Sequence, residues 1–151
     1  MTRKNINRGY MKLTVWQDAS CLYALTCRTF FSLPFELKKV ASQQIAAVDS
    51  IHRNIAEGYG RRSLKEYLNF LNIALGSSAE AVSGLHVYRD AGQIQGDSFD
   101  SLDALAYKLE NGLIRLIESL QARQQDNKPW QDRFILKESN QAYGNPDITE
   151  V

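Results

Sequence analysis

The stretch Ser50–Lys65, SIHRNIAEGYGRRSLK, closes one helical pattern and opens another. Gly58 and Gly60 stand at the break, where we expect them to supply the positive φ that helix ends favour. Ser63-x-x-Glu66 follows as a capping-box pattern, which predicts that the next helix begins at Ser63. The stretch therefore predicts a corner between two helices.

The helices on either side of this corner are predicted over about 35–58 and about 63–91 from their apolar spacing. A heptad seam runs along the first of them, through Leu37, Ala41, Gln44, Val48, Ile51 and Ile55. Gln44 is the polar member of this seam, and we interpret it as a buried amide with its hydrogen bonds satisfied. Gly76 lies within the second helix, where glycine costs about 1 kcal/mol relative to alanine. We therefore expect another helix, of this chain or of a neighbour, to approach Gly76 closely.

Two further amphipathic helices complete the pattern. Thr14-x-x-Gln17 is a second capping-box pattern and predicts the start of a helix that ends before Pro34. Asp97 or Ser98 is predicted to cap the last helix, which extends to about residue 123. Four amphipathic helices with short connections and no strand pattern predict an all-α fold, an up-down-up-down four-helix bundle.

The 151 residues suit a single domain with a substantial core. We place the bundle at residues 13–123, after a flexible basic N-terminal arm at 1–12. Residues 124–151 form a polar C-terminal tail with one apolar patch, Trp130, Phe134, Ile135 and Leu136. Because such residues are unusual in a disordered tail, we expect this part of it to dock on the bundle or on a neighbouring subunit.

The formal net charge of +1 conceals an uneven distribution of charge along the chain. Residues 1–75 contain eleven Lys or Arg and five Asp or Glu, whereas residues 76–151 contain seven and twelve. Segregation of this kind can make one face or end of the protein basic. A basic surface suits a polyanion, and it equally suits contacts between copies of the protein.

The two cysteines and the lengths of the apolar segments indicate the cellular compartment of the protein. Cys21 and Cys27 lie six residues apart, which is the wrong spacing for facing side chains on a helix. We interpret them as buried free thiols in a reducing compartment. The N-terminus lacks the apolar run of a signal peptide, and no apolar run is long enough to span a membrane. We expect a cytoplasmic protein with no membrane partner.

Catalytic and metal-binding motifs are missing from the sequence. The two histidines, His52 and His86, fall on different predicted helices, and neither follows a glutamate in the Glu-x-x-His pattern of di-iron bundles. No nucleophile elbow, phosphate-binding loop or dinucleotide fingerprint occurs. We therefore expect no enzyme activity, no cofactor and no metal.

Basic residues cluster around the predicted corner. Arg53, Arg61, Arg62 and Lys65 are candidates for contacts with phosphate, and Tyr59 lies among them as a candidate for stacking on a base. The alternative is a solvated basic loop whose arginines pair with acids on the next helix or subunit, since guanidinium binds carboxylate and phosphate equally well.

Four residues are candidates for holding the corner in shape: Glu57, Gly58, Gly60 and Ser63. Glu57 lies in the last turn of its helix, where the helix dipole disfavours an acid. We expect a buried ion pair with Arg53, Arg61 or Arg62, or a bond from the Asn54 amide, to compensate it.

The string from Ser50 to Arg61 resembles the signature of the four-helix-bundle proteins of the 23S rRNA intervening-sequence family. The resemblance covers about residues 13–120 and continues through Val15-Trp16-Gln17, Ser63, Lys65-Glu66-Tyr67, Phe70-Leu71, Ile73-Ala74 and Gly76-Ser77. His52 departs from it, because the family usually shows proline there.

This resemblance implies a left-handed bundle that assembles as a homopentamer in bacteria. It also implies partners: rRNA or another nucleic acid, and a reverse transcriptase or another protein, as for relatives that serve retroelements. Our leading hypothesis is a non-enzymatic homo-oligomer that binds RNA or a nucleic-acid complex through the basic corner. Arg3, Lys4 and Arg8 would assist it. The alternative is a protein–protein assembly scaffold or accessory subunit with no direct contact to nucleic acid.

Overall fold

The computed structural model describes residues 8–125, and all regular structure in that range is helical. Two 3-10 helices, Gly9–Lys12 and Phe35–Leu37, precede the first two of four α-helices. The α-helices are α1 (Thr14–Phe30), α2 (Lys38–Tyr59), α3 (Leu64–Asp90) and α4 (Gly96–Gln125). The predicted all-α four-helix bundle is confirmed.

Each helix packs against the helices that precede and follow it, and α4 returns to pack against α1. The contacts between α2 and α3 run in opposite sequence order, as antiparallel helices require. The Gln44 amide bonds to Ala81 near one end, and Ser50 lies 2.9 Å from Ser77 nearer the other. The handedness of the bundle stays a prediction.

The same opposite order holds around α4. His86 of α3 lies 3.2 Å from Asp103. On the other side, the Lys108 ammonium donates to Asp18 at 3.2 Å, and a β-carbon at Gly112 would lie 3.0 Å from Val15. As a result, the start of α1 and the end of α2 share one end of the bundle with the start of α3 and the end of α4.

A single apolar core runs between the four helices. Its fully buried side chains include Leu22, Phe30, Ile51, Leu71, Leu102 and Leu113. Gln44 sits in this core at 3% exposure, and its Nε2 donates a 2.8 Å hydrogen bond to the Ala81 carbonyl. The prediction of a satisfied buried amide is confirmed, and the bond links α2 to α3 at one register.

Several predicted helix ends need correction. Leu13, not Thr14, is the N-cap of α1, and Gln17 donates instead to the Met11 carbonyl at 3.0 Å. A 3-10 turn occupies the start of the second predicted helix, so α2 begins at Lys38. The last helix begins at Gly96, before both predicted caps.

The N-terminal arm is also corrected where the structure describes it. Gly9 is buried, and a β-carbon there would lie 2.5 Å from the Tyr59 hydroxyl. The Tyr10 ring packs edge-on against Trp16, with 5.6 Å between ring centres. Gly9–Lys12 is therefore a packed 3-10 helix and not a loose arm. Residues 1–7, with Arg3 and Lys4, and the apolar patch at 130–136 lie outside the described residues.

The glycines behave differently from the prediction. Gly60 has a φ of −76°, and within residues 8–125 the one glycine with positive φ is Gly92, at 72°. The predicted positive φ at Gly58 and Gly60 is therefore wrong. Gly76 is exposed, and nothing in the described chain lies within 4 Å of a β-carbon built there. The close approach predicted at Gly76 does not come from this chain.

The cysteines and the apolar content of the helices bear on the last two predictions. Cys21 and Cys27 are unpaired, but Cys21 is exposed and Cys27 half-buried, so the predicted burial is wrong. Among the helices within residues 8–125, none is both long enough and apolar enough to cross a membrane.

Candidate nucleic-acid interface

The corner between α2 and α3 comprises residues 57–66, and Ser63 caps the start of α3 as predicted. The Ser63 hydroxyl accepts a hydrogen bond from the Glu66 backbone N–H at 3.3 Å. The Ser63 carbonyl accepts from Tyr67 N–H at 3.0 Å and starts the helical ladder of α3. A satisfied first turn fixes the direction in which α3 leaves the corner.

Close packing at Gly58 sets the angle of the corner. A β-carbon at Gly58 would lie 2.7 Å from the Phe70 β-carbon and 3.2 Å from the Tyr67 carbonyl oxygen. Only glycine therefore lets the last turn of α2 lie this close to the first two turns of α3.

Glu57 forms the expected ion pair, and its partner is Arg61. The Arg61 Nη2 donates to Glu57 Oε1 at 2.8 Å, and Nη1 lies 3.9 Å from Glu66. The two side chains are 52% and 43% exposed, so the predicted burial of the pair is wrong. The corner projects from the end of the bundle, where solvent screens the pair and limits its contribution to about 1 kcal/mol or less. Asn54 donates to Ser50 instead.

The Arg61 guanidinium also lies over the Phe70 ring, 4.9 Å from the ring centre. A cation–π contact of this kind contributes about 0.5–1 kcal/mol at an exposed site. With one edge toward Glu57 and one face toward Phe70, Arg61 is partly committed to the corner itself.

Arg62 and Lys65 are different, because both are exposed and neither has an ion-pair partner among residues 8–125. They stand beside Arg61 in the turn and the first turn of α3. These two cations are available to an anionic ligand without the loss of an existing ion pair.

Arg53 does not join this group. It lies six residues before the end of α2 at Tyr59, about 9 Å back along the helix axis from the corner. Its guanidinium donates to Asp49 at 2.5 Å, and His52 Nε2 lies 2.8 Å from the same carboxylate. Burial alone would raise the pKa of Asp49, but the hydrogen bonds from Arg53 and His52 outweigh it and hold the pKa below its ordinary value.

Tyr59 is placed where it cannot stack on a base. It is 5% exposed, and its ring lies between those of Tyr10 and Tyr67, at 6.4 and 6.1 Å between centres. The stacking role proposed from the sequence is therefore wrong. Tyr59 instead anchors the 3-10 helix of the N-terminal segment to the end of α2.

The tertiary structure adds basic residues that are distant in sequence. Arg8 adjoins Gly9, which rests on Tyr59, and Arg115 is exposed one turn beyond Gly112 on the same end of the bundle. We call Arg8, Arg61, Arg62, Lys65 and Arg115 the basic end. The uneven charge of the two halves of the chain was a signal for such a surface, but Arg115 belongs to the acidic half and could not be assigned from it.

The histidines of the described chain each pair with a single aspartate. His52 pairs with Asp49 and His86 with Asp103, and in residues 8–125 no three His, Cys, Asp or Glu side chains are grouped to hold a metal ion. Burial raises the pKa of Glu110 on α4, and the nearby negative charge of Asp103 raises it further.

Taken together, these features define a helical-bundle protein with cations gathered at one end. The chain belongs to the family of 23S rRNA-intervening sequence proteins, whose sequence model matches residues 11–115. The recognition made from the residues around the corner is thereby confirmed.

A solved structure shares the fold. It is a protein of unknown function from the S23 ribosomal protein family of Bacteroides thetaiotaomicron, with a TM-score of 0.52 and 19% sequence identity. The match covers 67% of this chain and 98% of that chain. At this identity the likeness shows the fold alone. No curated protein sequence gave a significant match.

Proposed function

We propose that this protein binds structured RNA through the basic end, as a non-enzymatic homo-oligomer. The observation that carries the proposal is the pair Arg62 and Lys65, two exposed cations without ion-pair partners in the described chain, on the capped and closely packed corner. Arg61 contributes a third charge, which it shares with Glu57.

Geometry supports phosphate as the ligand of the basic end. The positive end of the α3 dipole lies at the corner and adds to the field of the side chains. Arg8 and Arg115 extend the positive surface onto the N-terminal segment and α4. With Tyr59 buried, the aromatic side chain that was predicted to stack on a base does not lie on this surface, so binding would follow the backbone and shape of the RNA more than its sequence.

Salt dependence provides the test. A labelled structured fragment of 23S rRNA is titrated with the protein by fluorescence anisotropy at several salt concentrations. Each phosphate contact contributes about 0.7–0.9 to the log–log slope of affinity against salt. An Arg62→Ala/Lys65→Ala variant should bind more weakly and lose about 1.4–1.8 of that slope, if both residues contact phosphate.

A matched control comes from the other end of the bundle. Lys38 and Lys39 are also exposed and lie at the start of α2, so Lys38→Ala/Lys39→Ala removes the same charge elsewhere. The control should bind as the wild type does. If both variants lost the same affinity for RNA, the loss would come from net charge and not from the basic end. An RNA affinity that does not change with salt would contradict the proposal.

An assembly role is the second candidate, and the exposed Phe31 and Phe35 favour it because they present apolar surface to a partner. In that case the basic end would pair with acids of a neighbouring subunit. Light scattering on Arg62→Ala/Lys65→Ala separates the candidates. An assembly that survives with weakened RNA binding supports the RNA proposal, whereas dissociation into monomers supports the scaffold.

A further inference from the structure

An apolar groove lies between α1 and α2, at the end of the bundle opposite the basic end. Its volume is about 520 Å³, and its aromatic wall consists of Tyr23, Phe30, Phe31 and Phe35. Ala41 and Ile45 of α2 form the floor. We call this the aromatic groove.

The aromatic groove is open to solvent in the single chain. Phe31 is 76% exposed and Phe35 is 80% exposed, the highest values among the large apolar side chains of the described residues. Two adjacent phenylalanines left in water forgo a large part of the stabilisation that apolar burial gives, and such patches commonly mark interaction sites.

A segment of suitable chemistry exists in the same sequence. Residues 126–151 follow α4 and contain the apolar patch Trp130, Phe134, Ile135 and Leu136. Tryptophan and phenylalanine are large enough to fill a groove of this size and are frequent anchors in interfaces. Asp132 and Arg133 stand inside the patch, and Lys38 and Asp49 line the groove, so each side carries one charge of each sign.

The reach of the chain decides which copy can receive this patch. Val15 of α1 and Gly112 of α4 lie side by side, at the same height along the bundle axis. From Gly112, α4 continues for thirteen residues to Gln125, which is about 20 Å at 1.5 Å per residue. In the opposite direction, α1 runs from Val15 to Tyr23, at the near edge of the groove, over about 12 Å. Phe31 lies about 24 Å from Val15 in that same direction. The path from Gln125 is therefore about 32 Å to the near edge and about 44 Å to Phe31.

Five residues separate Trp130 from Gln125, and a fully extended chain covers at most about 18 Å in that number. Trp130 therefore cannot reach any part of the groove of its own chain, and Phe134, nine residues from Gln125, reaches its near edge only at full extension, about 32 Å. The aromatic groove of a second copy has no such limit. We propose that the tail patch of one copy, anchored by Trp130 and Phe134, binds in the aromatic groove of another copy and links the chains into an assembly.

Association of the full chain tests this. Sedimentation velocity over a range of protein concentrations compares the wild type with a tail variant, Trp130→Ala/Phe134→Ala, and a groove variant, Phe31→Ser/Phe35→Ser. Both groove positions are exposed, so the bundle should fold, which circular dichroism verifies. Each variant should associate at least about tenfold more weakly, because buried aromatic anchors dominate interface energies. Tyr107→Ser removes another exposed aromatic, on α4, and should associate as the wild type does.

Mixing separates exchange between copies from docking within one chain. The tail variant keeps an intact groove and the groove variant keeps an intact tail, so an equimolar mixture should form complexes that contain both. Loss of association in each variant with no recovery on mixing would overturn the proposal, as would a wild type that stays monomeric at every concentration or variants that associate like the wild type.

Discussion

Gly58 of α2 lies so close to Phe70 of α3 that a β-carbon at Gly58 would stand 2.7 Å from the Phe70 β-carbon. The Phe70 β-carbon is fixed to the backbone and cannot swing away, and the Tyr67 carbonyl oxygen is 3.2 Å from the same point. Substitution would therefore have to move a helix. This contact, and not an unusual backbone angle, is the reason for glycine at the corner.

Gly58→Ala and Gly76→Ala should have opposite effects on stability. Both glycines lie inside helices, where alanine is favoured by about 1 kcal/mol. At Gly76 the space around a β-carbon is open in this chain, so alanine should raise the free energy of unfolding by up to about 1 kcal/mol. At Gly58 overpacking against α3 should lower it by about 1–3 kcal/mol. Urea unfolding followed by circular dichroism measures both, and a Gly58→Ala protein as stable as Gly76→Ala would contradict the packing argument.

Gln44→Ala should cost about 2 kcal/mol, through the lost hydrogen bond to Ala81 and the space left in the core. Gln43 is its exposed neighbour on the same helix, so Gln43→Ala provides the control and should change stability by less than about 0.5 kcal/mol. Thermal unfolding of the two variants makes the comparison. Similar melting temperatures would mean that the buried amide does not hold α2 and α3 in register.

Asp49 should make stability fall at acidic pH. Its pKa is lowered in the folded protein from an ordinary value of 3.8, so the unfolded chain binds a proton at this carboxyl more readily than the native protein. The stabilisation is present above that ordinary pKa and is lost as pH falls through the folded-state pKa. Asp49→Asn should therefore show a smaller decrease in unfolding free energy between about pH 5 and pH 2.5 than the wild type.

Glu80→Gln serves as the control for this pH experiment, because Glu80 is an exposed carboxyl in the middle of α3. It should keep the pH dependence of the wild type. If Asp49→Asn and Glu80→Gln follow the same curve, the bonds from Arg53 and His52 do not favour the charged form of Asp49.

Ser63→Ala should lower the free energy of unfolding by about 1 kcal/mol, because Glu66 N–H loses the side-chain acceptor that caps α3. Ser63→Asp should recover most of the loss, since aspartate accepts the same bond and suits the helix dipole. Hydrogen exchange at Glu66 reports the local effect directly. Unchanged protection in Ser63→Ala would show that the cap contributes nothing to the start of α3.

The periodicity of the chain predicted the four helices, the buried amide at Gln44 and the cap at Ser63, because each depends on residues three or four positions apart. The capping pattern at Thr14-x-x-Gln17 failed because the 3-10 helix directly ahead of it offers Gln17 the Met11 carbonyl, six residues upstream. The positive φ expected at Gly60 failed because the chain leaves α2 in a right-handed conformation.

The candidate site was predicted in part. Arg61, Arg62 and Lys65 are adjacent in sequence and stay adjacent in space. The burial of Tyr59 depends on Tyr10 and Tyr67, which pack on its ring from two other segments. The residues next to Tyr59 in the sequence do not indicate this packing.

The sequence by itself determined the helices, their order and the charge of the corner, since spacing, capping and composition are local properties of the chain. Only the tertiary structure decided which side chains remain available to a ligand. It buried Tyr59 under Tyr10 and Tyr67 and brought Arg8 and Arg115 to the basic end, whereas the pairing of Arg53 with Asp49, four residues before it on α2, is local. The physical reason is that exposure and pairing depend on what packs against a residue, and in a bundle those neighbours come from helices far apart in the chain.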